Sequence, residues 1–182
     1  DLAAQGLPAN SRDADDFNMG TIQGRLWFKS LSAQWFLHSR SKAVSTGIVG
    51  TQVGDDRTRY GDTRGIVEVK FEPQFSRYIG MMARTAYNYI NYRGQFWYEP
   101  GAEFTQIASE ETFTGQWGVG ELRFVITPIP QVRITVGGEA QLHFVASQRG
   151  EETDCTVDGV CTPFLYFPGN PSDPYNPDAV DK

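Results

Sequence analysis

The sequence predicts an all-β chain: an antiparallel up-and-down transmembrane β-barrel segment of about six long strands in three hairpins. Three observations point there. Apolar and polar residues alternate with period two over long runs. The runs are about 9 to 15 residues long, whereas globular strands usually have 5 or 6 and a barrel strand crosses a bilayer with roughly 9–11. Short turns and long polar stretches alternate between the runs, which puts tight turns at one end of the sheet and long loops at the other.

The elements follow in order. The first strand is expected over Thr21–Lys29, with Ile22, Gly24, Leu26 and Phe28 opposed to Gln23, Arg25 and Lys29. Trp27 shares the polar side. A tight turn at Lys29-Ser30 leads into the second, Leu31–Arg40, where Leu31, Ala33, Trp35 and Leu37 oppose Ser32, Gln34, His38 and Arg40. A polar stretch from Ser41 to Asp62 follows. The third strand, about Thr63–Glu72, sets Gly65, Val67, Val69 and Phe71 against Arg64, Glu68, Lys70 and Glu72. "EPQFS" is a short turn. The fourth, about Tyr78–Tyr92, carries Ile79, Met81, Ala83, Tyr87 and Tyr89 on one side and Arg84 and Asn88 on the other.

A second long loop is expected from about Gly94 to Glu111. The last hairpin closes at "TPIPQ". Leu122, Phe124 and Ile126 face one way, and Glu121 and Arg123 the other. After the turn, Val132, Ile134, Val136, Ala140 and Leu142 oppose Arg133, Thr135, Glu139 and Gln141. Residues 1–20 read as a loop segment, 21–146 as the strands, and 147–182 as an acidic, Pro-rich tail without regular structure.

The medium that wets one side of such strands with hydrocarbon is lipid. Candidate lipid-facing residues are Leu26, Leu37, Val67, Val69, Met81, Leu122, Phe124, Ile134 and Val136. Candidate lumen-facing residues are Arg25, Arg64, Arg84, Glu121, Arg123, Arg133 and Glu139. Aromatics gather at two levels: Trp27, Phe28, Trp35, Phe71 and Phe75 near the short turns, and Tyr87, Tyr89, Tyr92, Phe96, Trp97 and Tyr98 near the long loops. Belts at two water interfaces have this distribution. Core aromatics of a soluble β domain are the plainer alternative.

The 182 residues are 40% hydrophobic, enough for one domain with a core, and 13% aromatic, which favours strands. No run approaches the roughly 20 apolar residues of a membrane helix. The formal net charge of −6 argues against nucleic acid as a partner. The N-terminus lacks the basic and apolar regions of a signal peptide. Cys155 and Cys161 flank the turn signal Asp158-Gly159, so a small-loop disulfide and an oxidising compartment are expected. Two free thiols are the alternative. Two sulfurs without further ligands nearby make a poor metal site.

One stretch adds a resemblance. "SLSAQWFLHSRSKAVSTGIVGTQVGDDRTRYGDTRGIVEVKFEP" resembles a mid-barrel segment of TonB-dependent outer-membrane receptors. In that family a Gly/Thr-rich loop runs into a D-x-R-T-R element, here Asp55-Asp56-Arg57-Thr58-Arg59. A strand of the form D-x-R-G follows, here Asp62-Thr63-Arg64-Gly65 through Glu72. The hairpin "WGVGELRF…VRITVGGEAQLHF" is similar to that family too. The likeness covers about Ile22 to Arg149. It implies the bacterial outer membrane, a lipid bilayer, a plug domain and the energising TonB protein as partners, and uptake of an unidentified solute. The family's barrel has about 22 strands, so this chain is expected to be one piece of a larger or split barrel.

No enzyme signature emerges. His38 shares a face with Ser32 and Gln34, and His143 with Glu139 and Gln141, but neighbours on one strand face lie about 7 Å apart, too far for a direct Ser–His bond without a cross-strand partner. "DADDFN" from Asp13 has alternate acids but lacks the turn glycine and distant glutamate of a calcium loop. No cofactor is expected. Two further readings remain open from the residues: a non-transporting subunit of an envelope assembly with other envelope proteins, and a soluble β-barrel that binds a small apolar ligand.

Overall fold

The computed structural model describes residues 15–44, 46–98 and 104–167. The strands are β1 Phe17–Phe28, β2 Leu31–Ala43, β3 Arg59–Phe71, β4 Gln74–Ser76, β5 Ile79–Tyr98, β6 Phe104–Ile129, β7 Val132–Thr156 and β8 Cys161–Phe167. They form one antiparallel, up-and-down sheet in the order β1-β2-β3-β5-β6-β7-β8, with β4 paired to β5. The sheet is open: the outer edge of β1 has no strand beside it among the described residues.

The six long strands stand where the alternation predicts them, but all are longer. β6 has 26 residues and β7 has 25, far beyond the expected hairpin. The expected loop from Gly94 to Glu111 is mostly strand, since β5 reaches Tyr98 and β6 begins at Phe104. The expected tail from 147 begins as the upper half of β7 and then forms β8; the rest of it, from 168 onward, lies outside the described residues. β1 also starts at Phe17, inside the expected N-terminal loop. The upper halves of β6 and β7 have a common physical reason. Ladder hydrogen bonds need no apolar side chains, so strands that are polar on both faces pair without a period-two signal.

Register makes the faces coherent. Leu26, Ala33 and Val69 are mutual partners across β1–β2–β3, and Val69 continues to Thr85, Gly120 and Ala140. Nearer the short turns, Phe28, Leu31, Phe71, Ala83, Leu122 and Gly138 align. Every candidate lipid-facing residue lies on this face, and every candidate lumen-facing residue lies on the other.

Among the described residues no second layer covers either face. Ala43, Val44, Ala86, Phe96 and Cys155 are the buried apolar residues described, while Ile22 is 66% exposed and Leu142 64%. A sheet with a bare apolar face is half of a structure: it needs lipid or another apolar layer against it.

The connection after β2 is ordered. Thr51 bridges Tyr98, and the Gln52 amide donates to the Trp97 carbonyl at 2.8 Å. Thr58, fully buried, accepts from the Trp97 amide at 3.1 Å, and its carbonyl accepts from the Val44 amide at 2.8 Å. The loop thus extends the ladder along the overhang of β5. At the far tip, Cys155 and Cys161 are ladder partners joined as a disulfide, and Gly159 takes φ 78° in the turn between them, as Asp158-Gly159 predicts.

Two adjacent glycines on β7 separate backbone approach from open space. A Cβ at Gly137 would sit 2.6 Å from the Leu122 carbonyl oxygen, whereas one at Gly138 would meet nothing within 4 Å. Gly137→Ala is expected to cost about 1–3 kcal/mol through overpacking against the β6 backbone. Gly138→Ala should stay close to neutral. Thermal unfolding of both variants checks the contrast.

Candidate functional site

The polar face is organised around Arg84 on β5. Its Nε donates to Glu121 on β6 at 2.9 Å, Nη1 to Glu68 on β3 at 3.2 Å, and Nη2 to Glu139 on β7 at 2.9 Å. Gln34 on β2 donates to the other oxygen of Glu68 at 2.8 Å. Arg123 takes the remaining oxygen of Glu121. The network therefore crosses five adjacent strands. Of the residues picked from sequence, Arg84, Glu121, Arg123 and Glu139 come together here. Arg25, Arg64 and Arg133 share the face but make no ion pair with the described residues. Glu68 and Gln34 are the members that sequence reasoning missed, because their partners are set by register and a single sequence does not display register.

Removing the central cation would leave three carboxylates facing one another. Arg84→Met is expected to lower the unfolding midpoint by roughly 5 °C or more. Arg123→Met, which leaves the hub intact, should cost less. Heat-dependent gel mobility of the two variants measures the difference.

The opposite face changes character in steps. Apolar rows run from Ile79, Ile126 and Ile134 up to Ile22 and Leu37. Trp35, Tyr87 and Tyr89 stand in the upper rows, and the Tyr87 hydroxyl donates to Gln116 at 2.8 Å. The next row is Gly20, Ser39, Thr63, Asn91, Thr114 and Ser147. Ser39 and Thr63 share a hydrogen bond at 3.0 Å, and Asn91 donates to Thr114 at 2.9 Å. Beyond that row come ion pairs: Arg59–Asp16, Arg93–Glu110 and Arg149–Glu151.

The two aromatic belts are corrected in part. Phe28, Phe71, Trp35, Tyr87 and Tyr89 are on the apolar face. Trp27, Tyr92, Phe96 and Tyr98 fall on the polar face by register, and Trp97 lies beyond the apolar rows, under the Arg57 guanidinium at 4.1 Å. A bulge at Gln116/Trp117 shifts β7 by one residue, so Ser147, Arg149 and Glu151 continue the apolar face's parity.

Electrostatics outside the apolar rows splits the acids. The hydrogen bond from Arg93, at 2.7 Å, holds the Glu110 carboxyl below the usual range. Arg57 does the same to Asp55. Burial, with Asp154 adding to it, pushes Glu152 up. The Glu110 contribution to stability is present above the ordinary carboxylate range and is lost as pH falls through its depressed folded value. The Glu152 contribution has the opposite sign: its cost appears as pH rises through its elevated folded value. Carboxyl carbon NMR titration should find Glu110 below and Glu152 above the ordinary value, with Arg93→Met bringing Glu110 back up.

His38 shares a hydrogen bond with Thr21 at 2.8 Å and stacks on Phe36, and His143 stacks on Trp117. No cluster of three or more metal-ligating side chains occurs among the described residues. Asp13 of the acidic run lies outside them; Asp15 pairs with Lys42 and Asp16 with Arg59. No helix among the described residues is long and apolar enough to cross a membrane. Comparison with protein-family models, with curated proteins and with solved structures finds no match.

Proposed function

We propose that the chain is part of the wall of a bacterial outer-membrane β-barrel that resembles a TonB-dependent receptor and serves the energised uptake of a solute. The stepped face carries this reading. Hydrocarbon, then tyrosine, then hydroxyls and amides, then paired charges is the order met on passing from bilayer core to water. On β5 the apolar stretch from Ile79 to Tyr89 covers roughly 33 Å of strand. At a tilt of about 40° that is close to the 25 Å apolar band of outer-membrane barrels.

The face that carries the Arg84 hub then lines the lumen. A lipid-exposed sheet has to close, because unpaired backbone groups in hydrocarbon each cost several kcal/mol. In this reading the open edge of β1 and the stretch of β7 before its pairing with β8 meet further strands, and a plug domain and TonB complete the machine. The loop and strand elements Asp55–Arg59 and Asp62–Gly65 support the receptor likeness, and with it transport rather than a purely structural role.

Tryptophans on opposite faces make the test direct. A variant keeping only Trp35 reports on the apolar face, and one keeping only Trp117 reports on the polar face. In bilayers containing brominated lipid, Trp35 emission is expected to be quenched several times more strongly than that of Trp117. Equal quenching, or no quenching of Trp35, would overturn the wall reading.

A further inference from the structure

The polar face is not uniformly charged. Between β1 and β3 its register aligns Gln23, Phe36 and Ile66, an apolar step among polar rows. A recess of about 580 Å³ opens there, lined among others by Gln23, Arg25, Gln34, Phe36 and Ile66. The Phe36 ring lies nearly parallel to the His38 imidazole, with centroids 6.1 Å apart and planes 17° apart. The hydrogen bond to Thr21 fixes that imidazole. β2 therefore brings the Phe36 ring to the recess beside an imidazole held in place.

Two arginines flank it. Arg25 on β1 pairs with Gln34 in the row on the short-turn side, and Arg64 on β3 pairs with His38 in the row beyond. Both are exposed, and neither makes an ion pair with a described residue. Arg40, Arg84 and Arg123 on the same face each hold a carboxylate. Glu68, the acid nearest this recess in register, is already engaged by Gln34 and Arg84. Among the described residues, the Arg25 and Arg64 forks thus keep their capacity for a planar anion. Ladder geometry puts their Cα atoms roughly 16 Å apart, a span that an elongate ligand can bridge with the two side chains closing on its ends.

We infer that this recess binds a planar organic dianion, its ring on Phe36 and Ile66 and its carboxylates on Arg25 and Arg64. A small inorganic anion would leave the ring surface unused, and a neutral planar molecule would leave both guanidiniums unused. The inference deepens the uptake reading, on which it rests for its meaning: this face would then line the path of the solute.

The probe is 2,6-naphthalenedicarboxylate, titrated calorimetrically into the native, detergent-solubilised protein. Saturable binding with a Kd below about 1 mM is expected. Arg25→Gln with Arg64→Gln should weaken it about a hundredfold, near tenfold for each guanidinium–carboxylate pair removed. Phe36→Ala should weaken it about tenfold by removing the stacking surface. Arg133→Gln, on the same face but outside the recess, should leave Kd unchanged. Neutral 2,6-naphthalenedimethanol should bind at least about tenfold more weakly. Absence of binding, equal binding of the diol, or indifference to the double variant would overturn the inference. Failure here with Trp35 still quenched by brominated lipid removes the recess and leaves the wall reading standing. An unquenched Trp35 removes the wall reading whatever the titration gives.

Discussion

In an antiparallel ladder a slip of one residue sends every side chain of a strand to the opposite face. The pairing of Ile22 with Leu37, of Trp35 with Val67 and of Ala83 with Leu122 therefore commits whole strands, not single contacts. The same pairing brings Arg84 between Glu68 and Glu121 on the reverse side. A slipped β5 would place Arg84 among Phe71, Val69 and Leu122, and would strand three carboxylates. Apolar alignment on one face and charge matching on the other thus select one register, and each makes the alternatives of the other costly.

Two devices manage the length of the strands. The bulge at Gln116/Trp117 moves β7 by one residue relative to β6, with Phe144 as the residue taken up between His143 and Val145. Below it, the even-numbered residues of β7 continue the apolar face; above it, the odd-numbered ones do. The change falls where the face turns from apolar to polar, so no hydrophobic row is interrupted. The β7–β8 disulfide then closes a short hairpin at the far tip, where the strands have few neighbours and the ladder alone holds them least firmly.

The sequence made the faces legible because alternation is local. Leu122, Phe124 and Ile126 declare their side without reference to any partner, and the tight turn at Lys29-Ser30 declares the next strand. The upper halves of β6 and β7 carry no such signal: "TQIASEETFTG" and "SQRGEETDCT" mix polar residues on both faces, so only the backbone ladder marks them as strand. Reading period two straight through β7 also fails above the bulge, where Arg149 and Glu152 trade sides. The hub was half visible. Arg84, Glu121 and Glu139 stand out as charges on alternating strands, but their meeting with Glu68 depends on how far β3 slides against β5, and one sequence does not fix that.

The stretch from Val44 to Thr58 bears on how the far end of the sheet behaves over time. Long connections usually move faster than the elements they join. Here Thr51 and Gln52 are bonded along the end of β5, Thr58 is fully enclosed, and Arg57 is clamped between Asp55 and the Trp97 ring. Displacing this segment means breaking main-chain bonds and exposing Thr58, so it shares the opening free energy of the strand beneath it. Anything that lands on Val49, exposed at the crest, meets a surface whose shape is already set, and loses little entropy in recognising it.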